Sequence, residues 1–341
     1  MQMRSVWFTK PRGVELRCEE VRAPGPGELL IEAIVSLISA GTEMLVYRGE
    51  LVTERELMLD RPGRAGAFPF PVKYGYQVVG RVIETGPGVL LPVGTVVFAA
   101  HPHQERFVLP WRENGDGPHY VYPVLAGLGP ERAAFTNLFG VALNALLDAP
   151  VRIGDCVAVS GLGVVGMFLA QLARRTAHRL ILIEPAAERR RLAAGIGADA
   201  VVAPEDASAA VTELSEGRGA DICFEASGAP AALQTALTVT GQDGLIAVVS
   251  YYGGRPVNLI MSPEFHYRRL TVMSSQAGRI NPGLTPRWNH LRRVAMSMAS
   301  LRDLPLDFVS HRFELSAAAE AYRLIDTGGD DVRGVLLTYG G

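Results

Sequence analysis

The sequence predicts an α/β protein of two domains, with an all-β, barrel-like domain beside a doubly wound parallel sheet. Three observations predict this fold class. The chain has 341 residues, which is more than a single hydrophobic core normally organises. Short strand-like segments broken by Gly/Pro turns fill its first third. After them, apolar strands alternate with helical segments, as in parallel α/β sheets.

The first predicted domain begins with short strands. Strand-like runs occur at residues 29–35, 77–84 and 95–100, and Gly/Pro turns at 24–27 and 86–88 separate them. Short strands at this spacing are typical of a β-barrel or a related all-β unit. We therefore expect residues 1–123 to form a barrel-like domain.

From residue 124 the pattern changes, beginning with a helical segment at 130–147. Apolar strands are then predicted at 156–160, 179–183, 200–202, 221–225, 245–249 and 270–273, and helices at 164–175, 186–195, 229–237 and 288–301. Near-continuous apolar strands indicate a parallel sheet covered by helices on both faces. The tail returns to strand-like segments at 308–313 and 335–338. The predicted domains are therefore 1–123 with 302–341, and 124–301.

Composition excludes several classes of partner. The formal net charge is −2 and no long basic run occurs, so neither nucleic acid nor an anionic membrane is an expected partner. The three cysteines, Cys18, Cys156 and Cys223, are scattered and form no CxxC pair, which fits a reducing compartment. The first residues lack the apolar segment of a signal peptide, and no apolar run reaches the roughly 20 residues of a membrane span. We expect a cytoplasmic protein.

The strongest motif is Ser160-Gly161-Leu162-Gly163-Val164-Val165-Gly166, which follows a predicted strand and opens a predicted helix. In this context a GxGxxG pattern indicates a dinucleotide site: Gly161 permits the turn, Gly163 exposes backbone N–H groups to a pyrophosphate, and Gly166 allows helix–strand packing. Val164 and Val165 begin the helix. Glu184, at the end of the next strand, would accept ribose hydroxyls and repel a 2′-phosphate, so NAD is the predicted cofactor.

Other residues bear on the same site. Arg189 and the two arginines after it could attract a 2′-phosphate or form a solvated helix face. Ligands of parallel sheets lie at the carboxyl ends of the strands, which brings Ser227, Ser250 and Tyr252 beside the cofactor. An ordinary polar loop is the alternative for each of these two later segments.

The order of these parts resembles the medium-chain dehydrogenase/reductase superfamily. The resemblance covers essentially the whole chain and depends on Ala40-Gly41-Thr42-Glu43, the segment 75–80, the glycine motif and the closing stretch 311–324. It implies a GroES-like β-barrel domain, a Rossmann domain and a return of the chain to the first domain. Segments 39–43 and 73–76 are most similar to the zinc-free branch that includes bacteriochlorophyllide dehydrogenases, which oxidise a secondary alcohol on a large ring.

Zinc-dependent members of this superfamily carry Cys-Gly-Ser/Thr-Asp and Gly-His-Glu segments and a third ligand on the helix before the Rossmann domain. Here the corresponding positions are Ala40, Tyr76, Gln77 and the region of Asn137. Catalytic zinc needs three ligands from His, Cys, Asp or Glu. Residues 98–122 also lack the cysteines of the structural zinc lobe. We therefore expect no zinc. The pair His101 and His103 is poorly arranged for chelation, and His103 is either a substrate contact or a satisfied histidine.

The resemblance implies hydride transfer between NAD and a secondary alcohol or its ketone, on a cyclic or complex biosynthetic substrate. Without zinc, a positioned acid/base must handle the hydroxyl proton. Thr42 occupies the hydroxyl position that relays this proton in zinc-dependent relatives, and Tyr76 stands in place of a lost ligand. Lys73 would lower the phenol pKa if the two side chains meet, and Glu43 is a second candidate base. The alternatives are that Tyr76 fills the former zinc space and that Lys73 is solvated.

Two other functions remain open. One is an NAD(P)H-dependent quinone or enone reductase, as found among zinc-free relatives, although Glu184 argues against it. The other is a nucleotide-binding protein without turnover. The expected partner is a small-molecule substrate, and the resemblance implies a homodimer formed through strand 270–273. An anionic substrate or a solvated surface would explain the basic residues of the later segments, Arg268, Arg269, Arg292 and Arg293.

Overall fold

The computed structural model of the chain describes residues 1–112, 119–305 and 308–340. The chain divides into two compact units, Met1–Asn137 with Val294–Gly341, and Leu138–Arg293. We call these the first and the second unit. Among the described residues, no helix combines the length and apolar character that a membrane crossing requires.

Strands and helices are numbered in chain order. The strands are β1 (Gln2–Lys10), β2 (Gly13–Glu20), β3 (Glu28–Ile38), β4 (Ala65–Gly66), β5 (Val72–Lys73), β6 (Val78–Thr85), β7 (Val96–Ala99), β8 (Arg106–Pro110), β9 (Val121–Pro123), β10 (Cys156–Ser160), β11 (Arg179–Ile183), β12 (Ala200–Val202), β13 (Ala220–Glu225), β14 (Thr240–Val248), β15 (Thr271–Ser274), β16 (Val309–Glu314) and β17 (Gly334–Thr338). The α-helices are α1 (Thr42–Arg48), α2 (Pro130–Ala133), α3 (Thr136–Asp148), α4 (Val164–Ala173), α5 (Ala187–Ala193), α6 (Ala207–Leu214), α7 (Pro230–Val239), α8 (Glu264–Tyr267), α9 (His290–Asp303) and α10 (Ala318–Thr327). Short 3₁₀ helices are Glu54–Leu57, Ala194–Ile196, Pro204–Asp206, Pro282–Leu284 and Leu315–Ala317.

The first unit is built on two sheets. One has the strand order β2-β1-β5-β4, and the other has the order β16-β17-β3-β6-β7-β9 with β8 also paired to β3. The central strand β3 is apolar and mostly buried, which suits a strand that pairs with three others. Since β17 pairs antiparallel with β3, the C-terminal tail joins the sheet of this unit.

An aromatic cluster forms part of the core of the first unit. Phe8 of β1 meets Tyr322 of α10 edge to face, with ring centroids 5.0 Å apart, and Tyr47 of α1 stacks on Tyr322 at 5.4 Å. All three rings are buried. The apolar area that they remove from water attaches both helices to the sheet.

The second unit contains a six-stranded sheet with the order β12-β11-β10-β13-β14-β15, and every neighbouring pair is parallel. β10 is buried along its whole length, as the apolar pattern predicted. The strand order changes direction beside β10, which is the topological switch point of a doubly wound sheet. The predicted α/β fold class is confirmed.

The predicted helix at 130–147 is wrong in one respect, because the segment forms two helices. α2 ends at Ala133 and α3 begins at Thr136. The Thr136 hydroxyl donates to the carbonyl of Ala133 at 2.7 Å. Threonine side chains that bond locally to the backbone compete with helix continuation, which explains the interruption.

Candidate active site

The turn between β10 and α4, residues 161–166, has the geometry expected of a dinucleotide-binding turn. Gly161 has φ +94°, where side chains are strained, and a Cβ there would lie 2.6 Å from Cβ of Ser227. A Cβ on Gly166 would lie 1.9 Å from the Gly161 carbonyl oxygen. Both positions therefore require glycine for close packing. We call residues 161–166 the glycine turn.

Gly163 differs from the other two glycines because the space beside it is open. It has φ −68° and precedes the first residue of α4, and a Cβ there would meet no atom within 4 Å. Val164 and Val165 form the first turn of α4, whose leading N–H groups lack partners within the helix. No acidic residue lies in that first turn. This helix end can therefore receive an anionic group.

Glu184 connects the glycine turn to the end of β11. Its buried carboxylate accepts the N–H of Leu162 at 2.6 Å and the N–H of Ala186 at 3.1 Å. A charge-assisted bond to the backbone of the turn fixes the turn relative to the neighbouring strand. The sequence assigned Glu184 only to the ribose, so this second role was missed.

The arginines after Glu184 all have partners in the protein. Nη1 of Arg190 donates to the carbonyls of Glu184 and Pro185, both at 2.7 Å. Arg191 pairs with Glu188 at 2.6 Å. Arg189 is half-buried on α5 and is likewise engaged by the protein.

Glu225, at the end of β13, organises the two loops that were predicted to flank the cofactor. Its buried carboxylate accepts the N–H groups of Ser227 at 2.8 Å and Gly228 at 3.0 Å. The hydroxyl of Tyr252 donates to it at 2.8 Å, and the hydroxyls of Ser227 and Ser250 also donate to it. We call these five residues the Glu225 cluster. Burial, together with the Glu225 carboxylate, raises the pKa of Tyr252.

This cluster adds a structural role to the residues that the sequence places beside the cofactor. Ser227, Ser250 and Tyr252 do lie at one end of the sheet, but all three hydroxyls are directed at Glu225. Their contribution is to hold the loops in place, with Ser227 packed against Gly161. Glu225 itself was missed. In the sequence it could have been recognised as a carboxylate that ends an apolar parallel strand, directly before Ala-Ser-Gly.

In the first unit, Thr42 and Tyr76 are both half-buried. Thr42 is the first residue of α1, and Tyr76 meets the buried ring of Tyr74 edge to face at 6.2 Å. Burial raises the pKa of the Tyr76 phenol, and the neighbouring Tyr74 and Glu43 add to this effect. A phenol in this setting holds its proton firmly near neutral pH, so it is suited to donate a hydrogen bond to a substrate oxygen.

Glu43 is fully buried and saturated with donors, which corrects its prediction as a substrate-facing base. One carboxylate oxygen contacts Nε2 of His103 at 2.8 Å and accepts the hydroxyl of Tyr322, and the other accepts the N–H of Ser39 at 3.2 Å. Nδ1 of His103 contacts the Ser36 hydroxyl at 2.7 Å. The sequence cannot show this pairing, because 60 residues separate Glu43 from His103.

We call Ser36, Glu43, His103, Tyr322 and Tyr339 the Glu43 network. Tyr339 completes it, with its hydroxyl 2.8 Å from Ser36 Oγ. His103 is therefore a satisfied buried histidine, the second of the two alternatives considered for it. The network ties α1 and α10 to the sheet of the first unit.

The expectation for Lys73 is wrong. Its ammonium group pairs with the Glu19 carboxylate of β2 at 2.7 Å and lies 5.7 Å from the Trp7 ring centroid. Lys73 is neither solvated nor directed at Tyr76, because this buried ammonium needs a carboxylate partner and β2 supplies it. The pKa of Tyr76 is accordingly raised, whereas the sequence-based hypothesis required it to be lowered.

The residues at the former zinc positions do not fit zinc. Tyr76 offers a protonated phenol, and Gln77 offers an amide whose Nε2 donates to the carbonyl of Leu37 at 3.3 Å. Glu43, which acts electrostatically on Tyr76, and His103, which packs against Gly75, are bonded to each other. Within the described ranges, no group of three or more His, Cys, Asp or Glu side chains is arranged to hold a metal ion.

Comparison with known proteins agrees with this architecture. The sequence profile described as "Zinc-binding dehydrogenase" matches residues 164–294. L-threonine 3-dehydrogenase of Pyrococcus abyssi is 28% identical over an alignment of 357 positions, gaps included, which covers 96% of each chain. These matches support a place in the medium-chain dehydrogenase/reductase superfamily.

Solved structures share the fold over nearly the whole chain. A zinc-binding-type dehydrogenase of Sinorhizobium meliloti bound to NADP has a TM-score of 0.78 and 21% identity, with 99% of this chain and 100% of that chain covered. An alcohol dehydrogenase of Escherichia coli complexed with NADH has a TM-score of 0.76 and 18% identity, with 99% of each chain covered. Because both nicotinamide cofactors occur among these neighbours, the choice between them must be argued from this chain's own residues.

Proposed function

We propose that this protein is an NAD-dependent, zinc-independent dehydrogenase that interconverts a secondary alcohol and its ketone. The observation that carries the proposal is the glycine turn, with open space at Gly163, an uncapped start of α4 and Glu184 fixed behind it. The superfamily match and the alcohol dehydrogenases among the relatives support the reaction class.

The preference for NAD follows from the charges around the ribose position. Glu184 brings a buried carboxylate to the end of β11, where a 2′-phosphate would meet like charge. Of the three arginines that could offset it, Arg190 is bonded to backbone carbonyls and Arg191 to Glu188. A cofactor with a free 2′-hydroxyl therefore fits this end of the strand better.

Zinc independence is supported by the ligand set. Ala40, Tyr76 and Gln77 replace the residues that bind the catalytic metal in zinc-dependent relatives, and the Glu43–His103 pair behind them is internally satisfied. This supports our proposal that the chain belongs to the zinc-free branch that its segments 39–43 and 73–76 resemble, with a cyclic or complex biosynthetic compound as its substrate.

The proposed chemistry assigns a role to the cofactor and to each of three side chains. NAD, when bound at the glycine turn, supplies the hydride acceptor. In the direction of reduction, the protonated phenol of Tyr76 would give its proton to the ketone oxygen, which becomes the alcohol hydroxyl, and the Thr42 hydroxyl would hold that oxygen. Because Tyr76 is only half-buried, solvent can return a proton to the phenolate. The Glu43 network keeps α1, and with it Thr42, in place, so Glu43 acts as a positioning residue rather than a base.

Two further properties are part of the proposal. β15 ends the six-stranded sheet and exposes Thr271 and Val272, which suits pairing with a second copy in a homodimer. Cys156 and Cys223 are buried free thiols, and burial raises the pKa of Cys156 to about 11, which suits a reducing cytoplasm. Sedimentation of wild type and Val272→Lys tests the dimer, which the lysine should dissociate.

Turnover by chelator-treated enzyme tests the function. A panel of secondary alcohols, with L-threonine among them, would be assayed for NAD reduction after exhaustive dialysis against EDTA. We expect turnover that added zinc does not increase. Activity that appears only with zinc would refute the zinc-independent mechanism. Preferential reduction of enones or quinones with NADPH would favour the alternative reductase function.

A further inference from the structure

We propose that Arg64 binds a carboxylate carried by the alcohol substrate, at a site that it forms together with Tyr76. This inference deepens the proposed function, on which it rests, by naming the class of substrate as a hydroxy acid. It concerns only residues of the first unit.

The Arg64 side chain is held in a defined position. Its guanidinium carbon lies 4.0 Å from the centroid of the Tyr74 ring, and Nη1 donates to the Leu57 carbonyl at 2.6 Å. The preceding residue, Gly63, has φ +77° and lies so close to His101 that a Cβ would be 1.9 Å from the imidazole Nε2. The segment that carries Arg64 is therefore seated against a buried side chain, and the guanidinium is oriented in advance.

The charge on Arg64 lacks a counter-ion. Across residues 1–112, 119–305 and 308–340, no carboxylate lies within salt-bridge distance of its guanidinium. Glu43 is committed to His103, Ser39 and Tyr322, and the other charge close to Arg64 is a second cation, Arg61. Burial lowers the pKa of the Arg64 guanidinium, which shows that its charged form is poorly solvated.

A partly desolvated cation without a counter-ion is energetically costly, and a ligand anion lowers that cost. Arginine presents five N–H donors in a planar fork that matches a carboxylate bidentately. The Leu57 carbonyl uses only part of this set. Arg64 is half-buried, so part of its side chain remains accessible to solvent and to a ligand.

The same position is next to the proposed acid/base. The Arg64 guanidinium lies over the face of the Tyr74 ring. The Tyr74 and Tyr76 rings meet edge to face, with centroids 6.2 Å apart. Arg64 also acts electrostatically on Tyr76 and opposes the rise of its pKa. Tyr76 and Arg64 are both half-buried, whereas Tyr74 between them is buried. A substrate could therefore place its carboxylate on Arg64 and its hydroxyl on Tyr76.

The arginines that the sequence suggested for an anionic substrate belong to the second unit, whereas Arg64 belongs to the first unit, as Tyr76 does. Arg268 donates to the carbonyls of Thr238 and Thr240, and Arg269 pairs with Asp243. Arg293 donates to Asn144 at 2.6 Å, and Arg292 covers the Trp288 ring. Arg64, which the sequence analysis did not single out, is the better candidate.

Binding of 3-hydroxybutyrate and of its neutral amide, 3-hydroxybutyramide, tests the inference. Both would be titrated into NADH-loaded protein by ligand-detected NMR, where the reduced cofactor prevents turnover. We expect wild type to bind the carboxylate at least about tenfold more tightly than the amide. Arg64→Gln should abolish this preference. The matched control, Arg61→Gln, removes an exposed arginine of the same segment and should retain it.

Equal binding of the two compounds by wild type, no binding of either, or an equal loss in both variants would overturn the inference. The proposed function can fail independently. If the carboxylate binds through Arg64 but no secondary alcohol reduces NAD, the anion site stands and the reaction is wrong. If alcohols are oxidised without a carboxylate preference, the reaction stands and the anion site is wrong.

Arg64→Met provides a readout that separates binding from structure. If Arg64 serves to bind a ligand, replacing it with methionine removes a desolvated charge. The variant should then unfold at a temperature no lower than wild type. A clear decrease in unfolding temperature would mean that the guanidinium serves chiefly to hold Leu57 and Tyr74, and would overturn the inference.

Discussion

Replacing Gly163 with alanine adds one methyl group immediately before α4. In the protein alone this methyl meets nothing within 4 Å, and φ of −68° with ψ of −175° is accessible to alanine. In the proposed complex the same space holds the pyrophosphate of the cofactor. The substitution therefore separates cofactor binding from folding.

The expected effect on stability is small. Alanine is a poorer residue than glycine before a helix by roughly 0.5 kcal/mol, but it lowers the entropy of the unfolded chain by about 0.4–1 kcal/mol at a compatible position. These contributions nearly cancel. The unfolding temperature should therefore change by less than about 3 °C.

The expected effect on affinity is large. A methyl group at Gly163 would move the pyrophosphate away from the first N–H groups of α4. Each charge-assisted hydrogen bond contributes about 1.5–3 kcal/mol, and every 1.4 kcal/mol is about tenfold in the dissociation constant. Loss of one such bond predicts that the Kd for NADH rises about 10- to 100-fold.

Gly129→Ala is the matched control. Gly129 also precedes a helix, has φ −66°, and has no atom within 4 Å of an added Cβ. NADH fluorescence titration and thermal unfolding would be measured on both variants and on wild type. Unchanged NADH affinity in Gly163→Ala, or an equal loss in Gly129→Ala, would refute the assignment of the glycine turn.

Three other predictions address separate parts of the structure. Tyr76→Phe should lower kcat about 10²-fold with the Kd for NADH unchanged, measured by steady-state kinetics on the substrate that the panel identifies, and an intact kcat would remove the phenol from the mechanism. Burial lowers the pKa of His101 to about 3, so the ring stays neutral in the folded state. The contribution of the neutral ring to the free energy of unfolding is therefore complete above pH 6.5 and declines between pH 6.5 and 3. At pH 5 the loss is about 2 kcal/mol, and urea unfolding should show it in wild type but not in His101→Gln. The same pH dependence of the unfolding free energy in both proteins would contradict this prediction. Glu225→Ala should cost about 2–4 kcal/mol in urea unfolding, because the buried N–H groups of Ser227 and Gly228 lose their acceptor, and a cost below about 1 kcal/mol would argue against the Glu225 cluster.

Much of the fold could be predicted because it depends on local patterns. Buried parallel strands such as β10 and β11 are continuous apolar runs, and the GxGxxG motif lies where a strand must turn into a helix. Both signals extend over fewer than ten residues, so they can be recognised without knowledge of the tertiary structure.

The partners of the charged side chains could not be predicted in the same way. Glu43 meets His103 across 60 residues, and Lys73 meets Glu19 across 54. These pairs depend on which strands and helices become neighbours in the first unit, and desolvation then forces each buried charge to find an opposite charge. Sequence spacing suggested instead that Lys73 would act on Tyr76, three positions away.

Arg64 and Glu225 were missed for a related reason. Each lies in a common sequence context, and its significance comes from what surrounds it in three dimensions. Glu225 has an unusual number of donors, whereas Arg64 has no carboxylate partner in the described part of the chain. Sequence alone gives the charge of a side chain but not the number of groups that compensate it.

The most direct test of the account is a fluorescence titration of the purified protein with NADH and with NADPH, combined with elemental analysis for zinc. The account predicts tight binding of NADH, binding of NADPH at least about tenfold weaker, and no stoichiometric zinc. Tighter binding of NADPH would show that the arginines after Glu184 outweigh its carboxylate. One zinc ion per chain would contradict the zinc-independent mechanism at its starting point.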